Sequence, residues 1–135
     1  MSRARGISMK NFTENKIFRG KKIATQQWVI GYYCPLNEEE ALIIDCVDDT
    51  VHPYEFVYYK VYADSVGMYI GKDDINGKQM FEGDILKDNN PRRLSDKLQV
   101  VAYISDHCYY PYVGEEHRQF EVVGNIIDNP EMVGL

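Results

Sequence analysis

The sequence predicts a mainly β protein, a small antiparallel barrel or sandwich, of which an SH3-like barrel is one form. Three observations carry this prediction. The apolar runs are short and are bounded by Gly, Pro, Asn and Asp. Aromatic residues make up 13% of the chain, and Val, Ile and Tyr dominate the runs, as suits a pleated surface. Between two such runs lies Asn76-Gly77, the dipeptide that best tolerates consecutive positive φ angles and so joins antiparallel strands. At 135 residues the chain suits one domain with a modest core. We expect residues 1–15 to be a flexible basic arm and residues 16–135 a single β domain.

The elements follow in order. Residues 1–15 are polar and unpatterned. Lys16–Phe18 is expected to pair with the strand WVIGYY (28–33), with Gly20 and Thr25-Gln26-Gln27 in the connection. Cys34–Glu40 reads as a polar loop whose three glutamates form a solvated face. Ala41–Val47 is a short apolar run, read as a buried strand that Asp48-Asp49-Thr50 ends. In YEFVYYKVYAD (54–64) the tyrosines 54, 58 and 62 have helical spacing, but the composition favours a strand or irregular edge. A short helical turn is the alternative. Strands are expected at 66–70, 79–81, 84–87, 98–105 and 119–127, with loops at DNNPRRLSD (88–96) and His107–Glu116. The core is expected from Trp28, Ile30, Leu42, Ile44, Met68 and Ile70, continued by Phe81, Ile85, Val101, Tyr103, Val122 and Ile126.

The stretch GKDDINGKQMFEGD (71–84) admits two readings. A calcium loop with Gly77 as its required glycine puts Lys72 where the first carboxylate belongs and Gly83 where the bidentate glutamate belongs. The bend of a hairpin fits better. It predicts a two-residue turn at Asn76-Gly77, both with positive φ, flanked by Ile75 and Lys78, with Asp73 and Asp74 solvated. Gly83 and Asp84 make a second corner. These four residues, Asn76, Gly77, Gly83 and Asp84, are given structural turn roles.

Charge and chemistry narrow the function. Net charge is −6, but residues 1–22 hold seven basic side chains and one acid, so the remaining chain carries −12. An acidic body disfavours a broad nucleic-acid surface. Cys34, Cys46 and Cys108 are odd in number with no C-x-x-C, and His52, His107 and His117 lack zinc-ligand spacing. We expect no metal, no cofactor and no disulfide framework. His107 beside Cys108 is the only suggestive nucleophile pair, and adjacency in sequence is no dyad. The protein is therefore read as no enzyme. No apolar run reaches the roughly 20 residues of a membrane span, and no secretory signal is present, so a cytoplasmic location without membrane contact is expected.

Eleven tyrosines offer rigid contact area with a polar tip. The leading expectation is a protein partner, bound by Tyr109, Tyr110 and Tyr112 with His107, which share one loop. Self-association is a second form of the same idea. The alternative is nucleic-acid binding by Arg3, Arg5, Lys10, Arg19, Lys21 and Lys22, or by Arg92 and Arg93.

Four stretches, FRG with WVIGYY (18–20, 28–33), VGMYIGKDDINGKQMFEGDIL (66–86), VVAYI (100–104) and FEVVGNIIDNPEMV (120–133), together resemble the YopX family of phage and prophage proteins. The resemblance covers nearly everything after residue 16. It implies a largely β fold, a phage or prophage origin and a bacterial host cell. It brings no accepted catalytic residues, because the family's function is not established. Its recurring residues are Gly, Asn-Gly, Gly-Asp and apolar strand positions, which are turn and core requirements.

Overall fold

The computed structural model describes residues 17–48, 55–90, 97–105, 108–111 and 119–135. The chain is mainly β and antiparallel, with no α-helix among the described residues. No helix among the described residues is long and apolar enough to cross a membrane. By contacts it divides into two compact units, Met1–Met68 and Tyr69–Leu135.

In the first unit, β1 (Phe18–Lys21), β2 (Trp28–Pro35), β3 (Glu40–Asp48) and β4 (Glu55–Tyr62) form a meander of adjacent antiparallel strands. The other side of β1 pairs with Gly67 and Met68, at the start of β5 (Gly67–Asp73). The turn between β2 and β3 is built by Asn37, whose Oδ1 accepts the N–H groups of Glu39 and Glu40 at 2.9 and 2.8 Å. Residues 55–62 are strand, and a 3-10 turn at Ala63–Ser65 follows. The helical spacing of the tyrosines yields to their β-favouring composition. Ser65 fixes that turn: its hydroxyl donates to the Tyr62 carbonyl at 2.6 Å and accepts the Lys21 N–H at 2.8 Å.

The core of this unit is Ala41, Ile43 and Val61, with Phe18, Val29, Tyr33, Tyr59 and Val66 packed against them. This corrects the expected phase of β2 and β3. Ile30 is 45% exposed, and Trp28, Leu42 and Ile44 are half-buried. A one-residue change of phase turns every side chain to the opposite face. Gly20 suits the core-facing phase, since a Cβ there would lie 2.8 Å from Val61 Cγ2. The sheet curls until Lys22 meets Val61 in a single bridge, with Ile23 N–H donating to the Lys60 carbonyl at 3.1 Å. Among the described residues no ladder continues from that bridge, so the sheet is open and not a closed barrel.

In the second unit the rest of β5 pairs with β6 (Gln79–Phe81). A three-stranded sheet contains β7 (Asp84–Asp88), β8 (Gln99–Val100) and β11 (Phe120–Asn125) in the order β11-β7-β8. A two-stranded sheet joins β9 (Ala102–Ser105) to β10 (Cys108–Tyr110). Residues 108–110 are thus strand, not the loop the sequence suggested. Met80, Leu86, Val101 and Phe120 form the core, with Ile70 and Val122 against it.

The turn after β5 corrects a second expectation. Gly77 has φ +80°, but Asn76 does not have positive φ. The loop spans Ile75, Asn76 and Gly77, closed by Asp74 N–H to the Lys78 carbonyl at 2.7 Å and Gly77 N–H to the Asp74 carbonyl at 3.0 Å. This is the three-residue hairpin, a turn followed by a left-handed glycine. Asp74 is not solvated: it is 5% exposed. Its Oδ1 accepts the N–H groups of Asn76 and Lys78, and its Oδ2 accepts that of Val122. At the second corner Gly83 has φ +94°. The buried Asp84 accepts the Phe81 N–H at 2.7 Å.

Candidate functional site

The outer face of β2, β3 and β4 is the surface where apolar side chains and exposure coincide. Side chains alternate along each strand, and residues directly opposite share a face. Tyr32 lies opposite Ile44, and Ile44 lies opposite Tyr58. The three therefore form a row across the sheet. Ile30, two residues before Tyr32, and Phe56, two before Tyr58, extend it on the same face. Ala41, Ile43, Tyr59 and Val61 occupy the opposite, core phase. Tyr58 is 62% exposed, Ile30 45%, Tyr32 38% and Phe56 37%.

Carboxylates of the same strands stand in the opposite phase to this row. Asp45 and Glu55 are exposed. Asp45 lies opposite Val57, and Asp48 lies opposite Glu55 by register. The base on the same ladder, Lys60, is held by Glu40 at 3.8 Å.

Of the tyrosine set expected from the sequence, Tyr110 alone has a described side chain. It is half-exposed on β10, and its hydroxyl accepts from Gln99 Nε2 at 3.2 Å. Tyr109 lies opposite Tyr103 by register. His107 and Tyr112 lie outside the described residues, as do Arg3, Arg5, Lys10, Arg92 and Arg93. Arg19 and Lys22 stand over rings of their own unit: the Arg19 guanidinium over Trp28 at 4.8 Å and the Lys22 ammonium over Tyr59 at 4.7 Å. Such cation–π contacts hold both cations against the sheet. The Lys21 backbone N–H is the donor to Ser65 described above. Asn76, Gly77, Gly83 and Asp84 sit in the two corners.

No group of three His, Cys, Asp or Glu among the described residues could hold a metal ion. In the second unit, Tyr69 donates to Asp73 at 2.7 Å. Its phenol is pushed well above the usual tyrosine range, first by burial, then by that hydrogen bond and the nearby Asp73 charge. A phenol held neutral in this way is a structural donor. The row at Ile30, Tyr32, Phe56 and Tyr58 was missed by sequence reasoning, although both phases of WVIGYY and ALII are apolar and hinted at a second apolar face.

These features define an open, antiparallel β protein of two small units with an apolar outer face on the first. The family model of the YopX protein matches residues 17–134, and the chain belongs to that family. Among solved structures, the crystal structure of protein EF1440 from Enterococcus faecalis is similar, with a TM-score of 0.54 at 20% identity. The match covers 87% of this chain and 97% of that one, and is a likeness of fold. No curated protein matches.

Proposed function

We propose that the protein is a non-enzymatic accessory protein of a bacteriophage or prophage, acting in the host cytoplasm by binding another protein through the outer face of β2, β3 and β4. The observation that carries this reading is the 62% exposure of Tyr58 at the end of the Tyr32–Ile44–Tyr58 row. Contiguous apolar surface of this kind, rimmed by polar groups, is a mark of interaction sites. Tyrosine gives large contact area at low entropic cost. The −12 charge beyond residue 22 suits a partner with a basic rim. Nucleic acid is a weaker reading, because Arg19 and Lys22 are engaged over rings and the body would repel phosphate.

The test places a photo-crosslinking p-benzoylphenylalanine at Tyr58 and, as a control, at Met132, which is 37% exposed in the other unit. The expected result in host cells is a discrete polypeptide, with a basic surface, linked from position 58 and absent from position 132. Crosslinks to nucleic acid, or the same pattern from both positions, would refute the reading.

A further inference from the structure

The β3–β4 ladder fixes the direction of each backbone group in β4. Ile23 N–H donates to the Lys60 carbonyl, so Lys60 faces away from β3 and Leu42–Lys60 is a pair without mutual hydrogen bonds. Pair type alternates along an antiparallel ladder, so Ile44–Tyr58, two steps on, is of the same type. The N–H and C=O of Tyr58 therefore point out of the sheet, and those of Val57 and Tyr59 point toward β3. β4 is the end strand of its sheet. Among the described residues its bridge on that side is Lys22–Val61, which lies beyond Tyr58. At Tyr58 an outward backbone and an outward ring thus meet.

We propose that this edge is a strand-addition site, taking an extended, basic segment of the partner protein alongside Tyr58. The inference rests on the reading that the outer face binds protein. Main-chain hydrogen bonds would hold the added strand, and its alternate side chains would lie over the Tyr58 row. Charge selects the occupant. Asp45 and Glu55 are both exposed and stand in the phase of Val57, on the face opposite the Tyr58 row, where like charges on neighbouring strands repel. Lys60, on the other face, is already held by Glu40. A lysine or arginine of the added strand relieves this repulsion. A second copy of the chain would bring the same carboxylates and increase it.

The probe is a capped peptide of alternating lysine and valine, added to the full chain and followed by amide hydrogen exchange in NMR. Exchange at Tyr58 should slow by about tenfold or more on binding. Two variants separate edge from face. Tyr58→Ala removes the ring and keeps the N–H. Tyr58→Pro also removes the N–H, which an edge strand tolerates where that group faces outward. Continued protection of Val57 and Tyr59 shows that the ladder stands. Strand addition predicts that proline abolishes binding while alanine weakens it about tenfold. If the peptide binds without protecting Tyr58, and both variants weaken it equally, the face binds protein but the edge does not. Binding unchanged by either variant would overturn both readings, and no binding at all would overturn strand addition. Protection of Tyr58 that grows with protein concentration, or is present in dilute protein without peptide, would assign the edge to a second copy or to the chain itself, and overturn the proposal.

Discussion

Replacing Asp74 with alanine should destabilise the protein far more than a turn residue ordinarily would. The carboxylate accepts three backbone N–H groups, from Asn76 at 2.9 Å, Lys78 at 2.8 Å and Val122 at 2.9 Å. Hydrogen bonds to a charged group contribute roughly 1.5–3 kcal/mol each in a buried setting. The Asn76 and Lys78 donors lie in an exposed loop, where water replaces the carboxylate at a loss of about 0.5 kcal/mol each. The Val122 donor lies in a strand packed against the core, and its loss costs about 2 kcal/mol. The total is about 3 kcal/mol, or a fall in Tm of about 10 °C. Urea midpoints and thermal melts followed by far-UV circular dichroism measure it. Asp74→Asn, which retains one acceptor oxygen, should lose about half as much. An Asp74→Ala variant within about 0.5 kcal/mol of wild type would refute the account of this turn. Calcium should leave Tm unchanged, because both carboxylate oxygens already accept N–H groups. A Tm that climbs with calcium in wild type but not in Asp74→Ala would show a ligand loop instead.

Three further outcomes can be checked by the same denaturation measurements. Gly77→Val forces a β-branched residue into the left-handed region at φ +80° and should cost about 1–2 kcal/mol. Gly31→Ala would drive a Cβ into the Ile44 carbonyl oxygen. Backbone must move to relieve that contact, so a loss of about 2–3 kcal/mol is expected. Trp28→Ala should cost about 1–2 kcal/mol, because the ring is half-buried beneath Arg19, and not the roughly 3–5 kcal/mol of a fully buried ring.

Strand composition and turn chemistry were legible in the sequence because they are local. The run 55–62, the glycine at position 77 and the corner at Gly83 each declare themselves within a few residues. The phase of β2 and β3 was not legible. Alternation selects a face only when one face is polar, and in WVIGYY and ALII both phases are apolar. The small residues Gly20, Gly31 and Ala41 crowd the core side, but that crowding depends on partners distant in sequence. The same ambiguity hides the candidate site: nothing in a single strand says that the apolar face of Ile30 stays uncovered. Asp74 failed for another reason. Its decisive donor, Val122, is 48 residues away, beyond the reach of any local pattern.

That long tie sets the order in which a chain made from its N-terminus can fold. Among the described residues the strand pairings of β1 through β4, and of the start of β5, fall within residues 17–68, so the first sheet can assemble while the rest is still being synthesised. The 74–78 loop must wait. Its Ile75 N–H needs the Phe120 carbonyl, and its Asp74 carboxylate needs the Val122 N–H. β7 lacks its neighbour β11 until residues 120–125 have emerged. Until then the aspartate stays hydrated and one side of β7 is an open template for other chains. β11 turns a solvated hairpin tip into a buried junction, so completion of the second unit must await residues 120–125.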